Sequence, residues 1–435
     1  MMKSEMYNVL FIVYYFPPMG SSGVQRPLKF VKYLRHYGWN PIVLAPEPGA
    51  YHTFDESLQQ ELEEMDVEVH RVGAKTPFHL MGKTGRQINF IPPRIAGWIR
   101  KMLSFFYLPD NKTGWIKPAL SKAEQIMADK DIDVIFSTAT PYSNHLISAE
   151  LKRRTGKPVI MDFRDDWLEF PFSDYATRFH RKRAAQIERD CIKYADIITA
   201  NNSSTLNSIK SRTPNPDTRF QLLSHGFDSD DFDQIMAANK NDRSKIRFLY
   251  SGIFYGDRNP DVFFNALSGL IKDGKVNKGQ IEIQFQGGLD HSVKDQISRL
   301  GFDDICTDYG LLPHKMAVQN LVNADVLWLL VGHQRSGNLV TPGKLFEYMA
   351  TRKPILGLVP DGDAKVILKS YKAGFTCDPY DTDEVKNTLE STIYLWQAKN
   401  MPQPDEEFIK RHDRKLITGE LAALFDELVL KQSTD

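Results

Sequence analysis

The chain has 435 residues, room for two domains of ordinary size. Hydrophobic residues make up 42% and charged residues 25%, a composition that excludes a disordered chain, a collagen and a small disulfide scaffold. Lysine plus arginine and aspartate plus glutamate each number 55, so no net charge favours bulk binding of nucleic acid.

Asn8–Tyr14 reads as a buried strand. The apolar start Val9–Phe16 runs into Pro17-Pro18 and is too short for a signal peptide or an anchor. A glycine-containing loop, Pro17–Gly23, leads to helical spacing over Val24–Tyr37 and a short strand at Pro41–Ala45. Further strands are expected at Val67–Val72, Asp133–Ser137, Pro158–Asp162, Ile197–Ala200 and Phe220–Leu223. Continuous Val/Ile runs between amphipathic segments argue for a parallel sheet covered on both faces.

An acidic, loop-like stretch follows at Asp228–Arg243, and then the pattern restarts. Strands are expected at Ile246–Ser251, Ile281–Gln286, Ala324–Val331 and Pro354–Leu358, with helices near Asp261–Ile271, His291–Leu300, Lys315–Asn323 and Gly343–Ala350. The fold class is therefore α/β, with two doubly wound parallel-sheet units in tandem. The division is placed at 1–228, 229–415 and a C-terminal helix, 416–435, overlapping the helical stretch Asp405–Leu430. No apolar run approaches the ~18 residues of a membrane span. Cys191, Cys306 and Cys377 lie far apart with no CxxC pair, so neither a zinc site nor a disulfide framework is expected, and a reducing, cytoplasmic setting is.

Five segments carry candidate chemistry. Phe16–Arg26 places Gly20 and Gly23 between a strand and a helix start, which suits an anion or a plain tight turn. Ser137–His145 follows a strand and sets His145 at a helix start, where ligands bind, although a lone histidine is often structural. Met161–Trp167 holds Asp162, Asp165 and Asp166 around Arg164, and an Arg–Asp knot is preferred there to a metal site. Tyr250–Pro260 puts Gly252 and Arg258 just past the second unit's first strand, where an arginine can take a phosphate. In Gly337–Ala350, Thr341 is an expected N-cap with Pro342 at the first helical position. Lys344 opposes the helix dipole there, which makes sense if an anion shares the site. Glu347, three residues on, lies on the same helical face, as a ligand-binding group or as a surface pair.

The tandem units, the first glycine loop and the "PGKLFEYMA…KPIL" segment resemble glycosyltransferases of the GT-B fold, closest to the family-4 type. The resemblance implies two Rossmann-like domains, an N-terminal acceptor domain and a C-terminal nucleotide-sugar donor domain. It also implies a C-terminal helix that crosses back to the first. It implies transfer of a sugar from a nucleotide-diphosphate donor, with retention, in polysaccharide biosynthesis or a related path, without metal or other cofactor. Glu347 matches the second glutamate of that family's pair, which contacts the donor ribose, and the first falls on Leu339. Asn338 and Thr341 are the candidate substitutes. Arg258 matches the family's phosphate-binding lysine position, the arginine position holds Ile253, and Lys344 is the candidate second cation. The catalytic set so implied is His145, Arg258, Lys344 and Glu347. The donor-binding set is Gly20, Gly23, Gly252, Arg258, Thr341, Gly343, Lys344 and Glu347.

Two rival classes stay open on sequence: a silent chain that binds sugar nucleotide without turnover, and a GT-B sugar-nucleotide epimerase. The expected partners are a nucleotide-sugar donor and a glycan or lipid-linked acceptor, with no nucleic acid. Ile95, Trp98, Ile99, Met102, Leu103 and Phe106 share one helical face. Residues 94–117 carry five Lys/Arg against one Asp, and residues 178–193 six against two. That face either packs on the first sheet or makes peripheral contact with the inner face of the membrane.

Overall fold

Strands with both faces covered need apolar residues at every position, not at alternate ones, and the runs named above supply them. The computed structural model describes residues 6–20, 22–49, 54–74, 105, 107–169, 175–236, 244–254, 258–332 and 341–432. The first compact unit comprises Met1–His225 together with Arg414–Asp435. Its sheet holds β1 (Tyr7–Ile12), β2 (Trp39–Pro46), β3 (Glu68–Val72), β4 (Val134–Ala139), β5 (Val159–Phe163), β6 (Ile197–Ala200) and β7 (Arg219–Leu222). They lie in the order β3-β2-β1-β4-β5-β6-β7, all parallel. Val9 is registered against Pro41 on one side and Val134 on the other.

The period of two along β1 sends its side chains into two cores. Leu10 and Ile12 join Ala119, Ala123, Ile147 and Leu151 from the helices Ile116–Asp129 and Ser143–Thr155. Val9 and Phe11 join Val24, Leu28 and Val31 from the helix Ser22–Leu34, and Ile417, Leu421 and Phe425 from the last helix, Arg414–Gln432. That last helix is tied down by Trp39, whose indole donates to Asp426 at 2.9 Å, and by Tyr37, whose hydroxyl donates to the Lys415 carbonyl at 2.9 Å. Burying a side chain such as Phe425 contributes about 1.5–3 kcal/mol, which is what holds a C-terminal helix against an N-terminal sheet.

The second unit, Gly226–Asp413, holds β8 (Ile246–Ser251), β9 (Ile281–Gln286), β10 (Cys306–Asp308), β11 (Val326–Leu330), β12 (Ile355–Leu358) and β13 (Gly374–Cys377). Their order is β10-β9-β8-β11-β12-β13, again all parallel. Trp328 of β11 is fully buried and stacks on Phe263 from the helix Asp261–Lys272, with ring centroids 4.0 Å apart.

Both sheets reverse direction of winding at their first strand, between β1 and β4 and between β8 and β11. Open α/β sheets bind ligands beyond the carboxyl ends of such strands.

Three expectations change. Residues 230–236 form a helix, Asp230–Met236, where a loop was expected, and acids in its first turn favour it. β10 and β13 were not expected. The expected continuous tail is two helices, Glu406–Lys410 and Arg414–Gln432, parted where the Phe227 amide donates to the His412 carbonyl at 3.0 Å. Among the described residues no helix is long and apolar enough to cross a membrane. Most of the basic apolar face, residues 94–104 and Phe106, lies outside the described residues.

Candidate active site

In the second unit the rim residues gather at the winding reversal. Gly252 ends β8 with φ +127°, and its amide donates to the Gln286 carbonyl at 2.7 Å. Gly287 follows β9 with φ +118°, and a Cβ there would come 2.6 Å from the Gly252 oxygen. Both positions demand glycine, for conformation and for space. The two strand ends therefore pack backbone on backbone and leave the rim low.

The helix Lys344–Ala350 grips that rim. Lys344 Nζ donates to the Ser251 carbonyl at 3.0 Å and sits 4.0 Å from the centre of the Tyr250 ring. One turn on, the Tyr348 hydroxyl accepts from the Ser251 amide at 2.9 Å and donates to the Trp328 carbonyl at 3.3 Å. A Cβ on Gly252 would come 3.3 Å from Lys344 Nζ, so the glycine leaves room for the ammonium. Burial pulls the Lys344 ammonium down to about 7, the Arg258 charge pulls the same way, and Glu347 opposes both. Arg258, Lys344 and Glu347, over eighty residues apart in part, are thus brought into one electrostatic neighbourhood.

Helix capping departs from expectation. Gly343, not Thr341, is the cap residue, and no side chain caps the helix. The hydroxyl of Thr341 is buried with no hydrogen-bond partner among the described residues. Pro342 stands before the helix, and its carbonyl accepts from the Leu345 amide at 3.0 Å. Asn338 and Leu339 lie outside the described residues.

The other sequence-derived residues sit in the first unit. Gly20 passes close to the chain at 54–55, where a Cβ would meet Asp55 Cβ at 3.0 Å. Gly23 lies in the first turn of the helix Ser22–Leu34, and its carbonyl accepts from Arg164. His145 is fully buried and 2.8 Å from Ser137 Oγ through Nδ1, while Nε2 has no partner among the described residues. Burial pulls its imidazole down to about 3, with Asp162 opposing and Arg164 assisting, so it stays neutral at any ordinary pH.

The Arg–Asp knot exists with different partners. Asp162 is held by Arg26, 136 residues away, through contacts of 2.9 and 3.1 Å. Thr138 and Thr199 each donate to Asp162 at 2.8 Å. Burial alone would raise this carboxyl, and Arg26 with the two threonines holds it below the usual range. Asp166 pairs with Arg212 at 3.0 Å. Arg164 instead donates to the carbonyls of Gly23, Ala139 and Thr140. Among the described residues no group of three His, Cys, Asp or Glu side chains is placed to hold a metal ion.

Residues 28–231 match the family model Glycosyltransferase Family 4. A glycosyltransferase from Rickettsia africae ESF-5 superposes with a TM-score of 0.60 at 14% identity, covering 98% of this chain and 99% of its own. The chain has the two-sheet GT-B fold, and its residues 28–231 are similar to glycosyltransferase family 4. Its fold is also similar to α,α-trehalose 6-phosphate synthase from Burkholderia multivorans, with a TM-score of 0.65, 11% identity, and coverage of 99% and 98%. The E. coli trehalose-6-phosphate protein bound with UDP-2-fluoro glucose gives 0.61, 12%, and coverage of 97% and 99%. No curated protein matches this chain by sequence. The chain therefore consists of two Rossmann-like parallel-sheet units, and the second carries the cationic rim at Lys344.

Proposed function

We propose that the second unit binds the nucleoside diphosphate of a sugar donor, and that the enzyme passes the sugar, with retention, to a hydroxyl of a glycan or lipid-linked acceptor. The observation that carries this is Lys344, an ammonium kept over a tyrosine ring and drawn down to about 7 beside Arg258. Two neighbouring cations disfavour each other unless an anion joins them. A diphosphate supplies that anion, and its charge grows as the glycosidic bond breaks. In this reading Arg258 and Lys344 stabilise the leaving group, and Glu347 accepts hydrogen bonds from the ribose hydroxyls. Gly252 and Gly343 keep the approach open, and the Thr341 hydroxyl, buried with no partner among the described residues, takes a polar atom of the donor.

His145, neutral and fixed by Ser137, serves as a hydrogen-bonding group and not as an acid. Gly20 and Gly23 shape the loop that leads into the first unit's rim. The similarity to a protein bound with UDP-2-fluoro glucose supports a nucleotide-sugar donor. We take the chemistry to need no metal, because cations of the protein can carry the diphosphate.

A thermal-shift screen with UDP, GDP and ADP tests the reading. A ligand at ~100 times its Kd raises stability by ~2.7 kcal/mol, a readily measured rise in Tm. The rise is expected for wild type and lost in Lys344→Ala. An equal rise in both proteins would overturn the assignment of Lys344.

A further inference from the structure

Ser251 is the last residue of β8, and each of its polar groups is held by a different neighbour. Its amide donates to the Tyr348 hydroxyl at 2.9 Å, and its carbonyl accepts from Lys344 Nζ at 3.0 Å. Its hydroxyl accepts from Gln286 Nε2 at 3.0 Å. Ser251 and Gln286 are registered against each other across β8 and β9, so their side chains share one face of the sheet.

Gln286 decides which way that hydroxyl points. It is buried, and its Nε2 donates a second time, to the Ala317 carbonyl at 3.2 Å. Its Oε1 accepts from Asn320 Nδ2 at 3.3 Å, and both partners belong to the helix His314–Asn323. A backbone carbonyl only accepts, so a turned-over amide would set Oε1 against the Ala317 oxygen. The Nε2 end is thereby fixed toward Ser251. The serine oxygen must accept, and its own proton points away from Gln286. That proton has no acceptor among the described residues.

Two other donors of this rim are already spent. The Gly252 amide donates to the Gln286 carbonyl and the Gly287 amide to the Gly310 carbonyl, each at 2.7 Å. Ile253, exposed just past Gly252, brings only an apolar side chain. Ser251 is partly exposed, so a ligand can reach it. The Lys344 ammonium has three protons, and the Ser251 carbonyl takes one of them. A hydroxyl proton of fixed direction therefore stands on the residue that holds the cation of the site.

We propose that the Ser251 hydroxyl donates a hydrogen bond to a phosphate oxygen of the sugar donor, and that Gln286 is the positioning residue that turns it there. The inference rests on the donor reading above and adds to it the neutral group that works beside Lys344. Both residues lie within the second unit. A hydroxyl already turned toward the anion gives up little rotational freedom on binding. As the glycosidic bond breaks, charge grows on the diphosphate and the hydrogen bond to it strengthens.

Isothermal titration of the full chain with UDP, GDP and ADP, each beside its own nucleoside, tests this. For whichever diphosphate wild type binds, Ser251→Ala should raise Kd ~10-fold or more, the size of a hydrogen bond to a charged group. The Kd of the matching nucleoside should not move, because it has no phosphate. Ser251→Thr keeps the hydroxyl and should bind the diphosphate like wild type. Gln286→Met removes the group that orients the serine. It should raise the diphosphate Kd several-fold and leave the nucleoside Kd alone. Added to Ser251→Ala it should have no further effect on Kd. A merely structural Gln286 would weaken nucleoside and diphosphate alike, in both backgrounds, and that result removes it from the proposal. A wild-type diphosphate Kd in Ser251→Ala overturns the proposal, and so does a Ser251→Thr protein as weak as Ser251→Ala. Binding that Lys344→Ala abolishes and Ser251→Ala spares would keep the donor reading and reject the serine. Wild type that binds no nucleoside diphosphate would instead overturn the donor reading itself.

Discussion

On the proposed function, binding a diphosphate should make the protein take up a proton, and Lys344 is the reason. The unfolded lysine holds its proton up to its ordinary 10.5, whereas in the fold burial brings the value to about 7. A shift of this size corresponds to ~5 kcal/mol at most, and the partial exposure of the side chain reduces it to ~2–3 kcal/mol. The sign follows from proton counts. Between about 7 and 10.5 the unfolded chain binds more protons at this site than the fold does, so stability rises with pH across that window. A bound diphosphate reverses the balance by favouring the ammonium. At pH 7.5 the free site is about one-quarter protonated, so binding takes up ~0.8 proton.

Isothermal titration of UDP or GDP at pH 7.5, in buffers of different ionisation enthalpy, reads that number as a slope. Lys344→Met keeps the apolar stem and removes the charge, so it isolates the lysine from protons carried by the nucleotide itself. The slope should vanish in this variant, and Kd should weaken ~10–100-fold through loss of a hydrogen bond to a charged group. The free variant should melt no lower than wild type, because a desolvated ammonium is gone. A slope that is the same in wild type and Lys344→Met would refute the placement of the diphosphate on Lys344.

Glu347→Gln should raise the Kd for UDP or GDP about 10-fold and erase discrimination against the 2′-deoxy nucleotide; unchanged discrimination would leave Glu347 as a helix pair. Turnover should persist in EDTA, and loss of activity restored by magnesium or manganese would show that a metal carries the diphosphate. Arg26→Met should lower unfolding stability by ~3–5 kcal/mol in urea melts at pH 7, because it strands the buried Asp162 charge. The cost should shrink as pH falls through the carboxylate range, since a protonated Asp162 needs no cation; a cost independent of pH would point to lost packing instead.

The central strands were legible because a sheet covered on both faces writes itself as continuous apolar runs, as β4 and β11 do with every residue buried. β10 was not legible, for it is a three-residue edge strand with its side chains largely exposed. β13 is four residues long with one fully buried, too little to separate from a loop. The acidic run at Asp230–Asp233 looks like a solvated loop in sequence, yet acids in a first turn also favour a helix, and Phe232 and Ile235 buried in the core decide between the two. The site divides along the same line. Lys344 and Glu347 were readable as candidates because a cation opposing a helix dipole is a local anomaly, visible within one turn. The partner of Asp162 was not, because charge pairing in sequence favours the nearest arginine, Arg164, while the fold supplies Arg26 from a helix 136 residues away. Three acids in five residues read as one cluster, and only the bonds to Asp162 and Asp166 show that each has its own partners. What a sequence conceals at such a site is therefore less the presence of a functional group than the list of its neighbours already committed to the fold.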